Sequence, residues 1–266
     1  MARPVIALLT DFGLRDHYVA AMKGVMLGVC PDATLVDITH DVPAHDVRSG
    51  ARLLASCYAY FPTGTVFLAV VDPGVGSTRR GLAADVGDYR LVGPDNGLLS
   101  AVFDERPPKR VVELTERKYA RPTISRTFEG RDRFAPAAAW LAKGVVLTSL
   151  GRTVAAHERL EWTAPSESAE GLTGVVDRVD RFGNLVTNLD RSSIERLVRD
   201  GDIDVRVAGR SVPRLVDTYS DADPGALCAL FGSTDHLEVA VNGGSAAEHL
   251  EAGAGSPVEV RRARGV

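Results

Sequence analysis

The feature that most constrains this chain is an alternation, over its first 72 residues, of apolar runs with amphipathic stretches, each closed by turn residues. Val5–Thr10 is a nearly continuous apolar run, as suits a strand covered on both faces. Val19, Met22, Val25, Met26 and Val29 then recur at the 3.6-residue period of a helix that Asp16 is placed to cap and Pro31 to close. Thr34–Thr39 reads as a second strand. Asp46 is placed to cap a second helix with Val47, Ala51, Leu54 and Tyr58 on one stripe, ended by Pro62, and Thr65–Val71 is a third strand. Strand–helix units joined this tightly imply a parallel sheet with helices on its faces. A further helix is expected to begin near Pro136 and run through Ala137–Lys143 to Gly144.

Beyond Pro165 the pattern changes. The stretch TAPSESAEGLTG is small and polar and reads as a linker. Short strand-like runs follow at Gly174–Val179, Leu185–Leu189, Asp204–Val207, Ala226–Phe231, Leu237–Val241 and Val258–Arg261, separated by turn residues. That is the pattern of a small antiparallel barrel or sandwich. The expected fold class is therefore α/β, with a mostly parallel sheet and flanking helices over residues 1–164 and a smaller antiparallel β-barrel-like domain over 172–266. A chain of 266 residues is long enough to give each domain a core.

Charge and cysteine content narrow the function classes. The net charge is −4 with both signs interspersed, so no basic stripe points to nucleic acid and no basic amphipathic helix to a membrane surface. The apolar run from Val5 to Leu9 is too short for a secretion signal or a membrane span. Cys30, Cys57 and Cys228 are odd in number, far apart and set among apolar residues, which suggests buried free thiols. The expectation is a cytoplasmic protein.

In open α/β sheets ligands bind beyond the carboxyl ends of the strands. Here the first three strands end at Asp11, Asp41 and Asp72, each in a turn-rich stretch. One such acid alone is more often a cap or a turn residue, but three on one edge point to a polar site. There is no GxGxxG after the first strand, no Walker loop, no CxxC and no HExxH, so no cofactor is expected. His40-Asp41 and His45-Asp46 flank Pro43, which denies them the fixed face of a helix, and no metal site is expected.

The segments LLTDFGLRDHYVAAMKG, DITHDVPAHDV, VVDPGVGSTRR, VGPDNGLLS, TFEGRDRFAPAAAWLA, DRFGNLVTN and LEVAVNGGSAAE occur in that order along nearly the whole chain. Together they resemble the S-adenosylmethionine (SAM) hydrolases, also called SAM hydroxide adenosyltransferases, which are related to the SAM-dependent fluorinases and chlorinases. The resemblance implies hydrolysis of SAM to adenosine and L-methionine by a homotrimer. Each active site would lie between the N-terminal domain of one subunit and the C-terminal barrel of its neighbour. It implies that Asp11 binds the ribose hydroxyls, that Asp16 and Asp180 hold the methionine ammonium, and that Ser233 holds its carboxylate. Phe182 and Tyr219 would flank the adenine, with Asn184 and the backbone around Asn242 and Gly243 reading its polar edge. Asp16 and the FGN turn also have purely structural readings, as a helix cap and a hairpin turn.

The sulfonium makes methionine a good neutral leaving group, so an enzyme need only hold water in line with the C5′–S bond and accept a proton. The resemblance gives that work to an Asp–Arg–His set. Asp72 matches the Asp. Arg79 matches the Arg, with Arg80 beside it as the alternative. Asp72 next to a cation is expected to stay ionised. Where the family usually reads TFHGRD this chain reads TFEGRD, so Glu129 stands in place of His. Two outcomes fit the sequence. Glu129 pairs with the arginine and orients the water, or two carboxylates crowd one arginine and weaken catalysis. The competing functions are a SAM-dependent halogenase, disfavoured because the Asp72 carboxylate would repel a halide, and a non-catalytic SAM or adenosine sensor. A metal-dependent phosphatase is more distant.

Overall fold

The structure, a computed structural model, describes residues 3–168, 170–198 and 203–262. The chain divides into two compact units, Met1–Glu161 and Trp162–Val266.

The first unit runs β1 (Val5–Thr10), α1 (Tyr18–Val29), β2 (Thr34–Thr39), α2 (Val47–Ala55), β3 (Val66–Val70), β4 (Gly81–Val86), β5 (Tyr89–Pro94), α3 (Ser100–Glu105), β6 (Arg110–Leu114), α4 (Ala135–Ala142) and β7 (Gly151–Thr153). Its sheet has the order β2-β1-β3-β5-β4-β6-β7. The first four strands in that order pair in parallel, and β4, β6 and β7 extend the sheet through antiparallel pairs. Alternate residues of β1 feed two different cores, because side chains of a strand point to opposite faces. Ile6 and Leu8 pack with Met22 and Met26 of α1 and Ala138 and Ala139 of α4. Ala7 and Leu9 pack with Leu54 of α2 and Leu98 and Val102 near and in α3. The unit is thus a sheet between two helical layers, built on a buried, nearly all-apolar set of central strands.

Both early helices begin where the periodicity places them, but α2 stops at Ala55, so Tyr58 falls in a separate 3-10 turn (Tyr58–Tyr60) instead of on the helix stripe, and the caps of the two helices differ. Asp46 accepts from the Ser49 amide at 3.0 Å and caps α2. Asp16 does not cap α1: the cap position is His17, with no side-chain bond to the helix. Pro136 sits in the first turn of α4, which follows a π-helical turn at Gly130–Phe134.

The second unit runs β8 (Ser166–Ser168), β9 (Gly171–Val179), β10 (Leu185–Asp190), α5 (Arg191–Val198), β11 (Ile203–Val207), β12 (Arg210–Val212), β13 (Leu227–Phe231), β14 (His236–Val241), α6 (Ala246–Leu250) and β15 (Pro257–Arg262). Its strands follow the antiparallel path β12-β11-β15-β9-β10-β14-β13, with β8 on β9. The sheet curls until β12 and β13 are neighbours, so it is barrel-like and nearly closed. Leu172, Val176, Leu185, Val239, Val258 and Val260 fill it, plugged by Ile194 and Leu197 of α5 and Leu250 of α6. The stretch expected to be a linker is largely ordered, because β8 and the first residues of β9 pair across it.

The three cysteines are free: Cys30 and Cys228 are buried, while Cys57 is half-buried rather than fully enclosed. Burial pushes the Cys57 thiol up to about 11. Among the described residues no helix is long and apolar enough to cross a membrane.

Candidate active site

Because β1, β2, β3 and β5 are parallel, the acids that follow them gather at one sheet edge. They are not equivalent. Asp11 accepts the His45 amide at 2.9 Å, tying the loop after β2 to the end of β1. His45 is held at φ 68°, in a region uncommon for a residue with a side chain. Asp41 is exposed. Asp95, which the sequence reading passed over, is buried and fully engaged: Arg80 donates to it at 2.8 Å and the Glu158 amide at 2.8 Å.

Asp72 is different. Arg79 reaches it with two bonds, Nε to Oδ1 at 2.8 Å and Nη2 to Oδ2. The same Nη2 lies 2.8 Å from Glu129 Oε2. The side chains of Asp72, Arg79 and Glu129 are only 5, 9 and 11% exposed. Arg79, and not Arg80, is therefore the arginine that meets Asp72, since Arg80 turns to Asp95 and the Ala156 carbonyl. Burial alone would depress the Arg79 guanidinium, but bonding to Asp72 and the field of Glu129 outweigh it and raise its pKa. The guanidinium also lies 5.1 Å from the centre of the Phe134 ring.

The π-helical turn carries Glu129 at its entrance, and such turns recur at functional sites. It is pinned by Asp132, fully buried, which takes Arg131 at 2.7 and 2.8 Å and the Ser125 amide at 2.8 Å. Burial would raise the Asp132 carboxyl, but these bonds hold it below the usual range. Nearby, Phe12, Tyr18 and Phe128 meet edge to face with ring centres 5.1 to 5.9 Å apart. With His17, Ser125, Thr127 and Arg131 they line a cavity of about 370 Å³. Exposed Asp16 lies between Phe12 and His17 of this group in the chain.

His40 is occupied by structure. Its ring lies 2.8 Å from Thr10 Oγ1 and 3.0 Å from Asp37 Oδ1. Among the described residues no group of three or more His, Cys, Asp or Glu is set to hold a metal.

In the second unit, Asp180, Phe182, Asn184, Tyr219, Ser233, Asn242 and Gly243 all line one cavity of about 1010 Å³. Asp180 organises the turn between β9 and β10. Its Oδ1 accepts the amides of Phe182 and Asn184 at 2.8 Å, and its Oδ2 accepts the Asn184 side chain at 2.9 Å. Gly183 turns the chain at φ 82°, and a Cβ there would lie 2.2 Å from Ser245 Oγ. Phe182 and Tyr219 remain 76 and 42% exposed, two aromatic faces open at the cavity. Sequence reasoning missed buried Glu238 in the same wall, which accepts the Tyr219 hydroxyl at 2.9 Å. Burial, then Glu238, pushes Tyr219 up to about 12, so it stays a phenol. The Asn242 amide is spent on the Ala226 carbonyl at 3.1 Å, and its side chain on the Ala222 carbonyl at 2.7 Å. Of the polar groups expected there, those of Asn242 serve the loop.

The chain is thus a two-unit α/β protein, with a sheet-edge carboxylate clamped by a buried arginine in the first unit and an aromatic-rimmed polar cavity in the barrel-like second. Residues 6–151 match the SAM hydroxide adenosyltransferase N-terminal domain and residues 174–259 the C-terminal domain. The chain belongs to this family. It is 43% identical over 250 residues to a protein of Salinispora tropica named (R)-S-adenosyl-L-methionine hydrolase, covering 93% of this chain and 94% of that one. A fluorinase of Nocardia brasiliensis is 33% identical over 97% of both chains. The crystal structure of an uncharacterized conserved protein from Thermotoga maritima superposes with a TM-score of 0.92 at 36% identity, covering 97% of this chain and all of that one.

Proposed function

We propose that this chain hydrolyses SAM to adenosine and L-methionine by in-line attack of water on C5′, and that Asp72, Arg79 and Glu129 carry the chemistry. The observation that carries the reading is the buried cluster in which one guanidinium holds two carboxylates at the end of β3. Asp72 is fixed by two bonds to Arg79, so its remaining acceptor capacity has a set direction toward a water. Hydrolysis of the sulfonium cation yields neutral adenosine, methionine and one proton, and an ionised carboxylate supplies the acceptor for that proton as the C5′–O bond forms and the C5′–S bond breaks. Two carboxylates at this place also oppose halide as nucleophile. The name carried by the similar Salinispora protein specifies the (R) sulfonium epimer, and we take that epimer as the substrate.

Around this centre Asp11 takes the ribose hydroxyls, Asp16 and Asp180 the ammonium, and Ser233 the carboxylate. Phe182 and Tyr219 stack on the adenine, and Asn184 with the backbone at Gly243 reads its edge, the amide and carbonyl of Asn242 being engaged within the loop. The candidate binding groups are divided between the two units, and membership of the family supports a homotrimer whose sites join the N-terminal unit of one subunit, residues 1–164, to the barrel of the next, residues 172–266. The three free cysteines support a cytoplasmic location, where thiols are kept reduced.

The test is incubation of the purified protein with each SAM epimer, with and without chloride and EDTA, followed by chromatography of the nucleosides. Adenosine released from the (R) epimer at equal rates in all conditions is expected. A chlorinated nucleoside, or loss of activity with EDTA, would overturn the reading, and tight SAM binding with no product would make the protein a sensor.

A further inference from the structure

The cluster around Glu129 contains a second cation. Arg133 Nη2 lies 3.6 Å from Glu129 Oε1, four residues along the same turn, while Glu129 Oε2 faces Arg79. Arg133 is held in place by its own contacts: Nη1 donates to the Leu114 carbonyl at 3.3 Å. Its stem runs over Gly81, where a Cβ would lie 3.2 Å from Arg133 Cδ and 2.6 Å from the Phe134 ring. The Nε of Arg133 and the Oε2 of Glu129 are both buried without a well-aligned hydrogen bond, so Glu129 meets its two arginines through charge more than through directed bonds. On its outer side a cavity of about 480 Å³ is lined by both Glu129 and Arg133, with Glu116, Arg117 and Arg126 as the other charged groups in its wall.

We propose that Arg133 is a positioning residue that works with Glu129 as a unit, its charge allowing Asp72 and Glu129 to stay ionised together beside Arg79. The charge count motivates this. Asp72 and Glu129 share one guanidinium, which leaves one negative charge uncompensated in a nearly buried cluster, and burial penalises such a charge. With Arg133 the cluster has two acids and two arginines. The groups facing Glu129 are Arg79 from the loop before β4 and Arg133 from its own turn, with Asp72 reached through Arg79 and Glu116, Arg117 and Arg126 across the outer cavity. A side chain such as His, neutral or cationic, would need no such counter-ion, so the requirement for Arg133 is tied to the presence of Glu129.

This rests on the hydrolase reading, but its decisive measurement does not need turnover. Protein carrying carboxyl-¹³C glutamate, with Glu129→Gln to assign the signal, is titrated by NMR as parent, Arg133→Met and Arg133→Lys. The Glu129 signal is expected to titrate about one pH unit higher in Arg133→Met than in the parent, and near the parent in Arg133→Lys. An unchanged midpoint in Arg133→Met overturns the proposal. So does an Arg133→Lys midpoint as high as that of Arg133→Met. If Arg133→Met does not fold, Arg133→Gln takes its place with the same criterion. In the SAM assay, Arg133→Met is expected to lower kcat at least about tenfold in the Glu129 protein, with an acid limb at higher pH, and far less in a Glu129→His background. Equal losses in both backgrounds would reduce Arg133 to a structural part. A parent with no adenosine release would sink the hydrolase reading while leaving the NMR result to decide the pairing.

Discussion

At the scale of single residues the structure separates acids that look alike in sequence. Asp72 and Asp95 both follow sheet strands, yet Asp95 is closed by Arg80 and a backbone amide, whereas Asp72 shares its arginine with Glu129. Asp72→Asn keeps the shape and removes the proton acceptor. We expect kcat to fall about 10²- to 10⁴-fold while SAM binding, followed by calorimetry, persists. Asp190 is a structural acid whose effect is visible in pH. It accepts from the Ser192 and Ser193 hydroxyls at 2.6 and 2.7 Å and from the Ser193 amide at 2.9 Å at the start of α5. Burial would raise its pKa, but these bonds prevail and lower it to about 2. A depressed carboxyl stabilises the fold above its unfolded value and loses that contribution as pH falls through the folded one. Asp190→Ala is therefore expected to cost about 1 kcal/mol at pH 7, and the difference from the parent to shrink as pH falls through about 2, as read by urea unfolding.

At the scale of elements, legibility followed the length and regularity of each segment. β1, α1, β2, α2 and β3 were readable because a buried parallel strand needs a continuous apolar run and a one-sided helix needs a 3.6-residue period. The antiparallel extension was not read, although Val86 pairs with Tyr89 across Gly87-Asp88, a tight-turn signal that was available. β7 is three residues long with two exposed, and no pattern could have announced it. Within the site, the seven-residue spacing of Asp72 and Arg79 was legible from the motif. The choice of Arg79 over Arg80 needed the turn geometry, and Glu238 was hidden because an acid inside a strand reads as a solvent-facing residue. The β9–β10 turn gives an element-level prediction. Gly183→Ala introduces a Cβ against Ser245 at a positive φ, and we expect a loss of about 1–3 kcal/mol in stability and weakened SAM binding, measured by thermal unfolding with and without ligand.

At the scale of the whole molecule, two units with separate apolar cores account for nearly all of the described chain. The proposed trimer predicts a sedimentation mass near three times 28.4 kDa at micromolar concentration. A stable monomer that turns over SAM would remove the shared-site arrangement and leave the chemistry standing. Cys30 and Cys228 are enclosed, and Cys57, half-covered, is a thiol rather than a thiolate at neutral pH. Maleimides and disulfide reagents are therefore expected to react slowly with the native protein. A cysteine introduced at an exposed position, such as that of Tyr60, would be the fast-reacting one, so a single fluorophore or spin label can be attached to the otherwise unchanged chain and used to test the proposed assembly in real time.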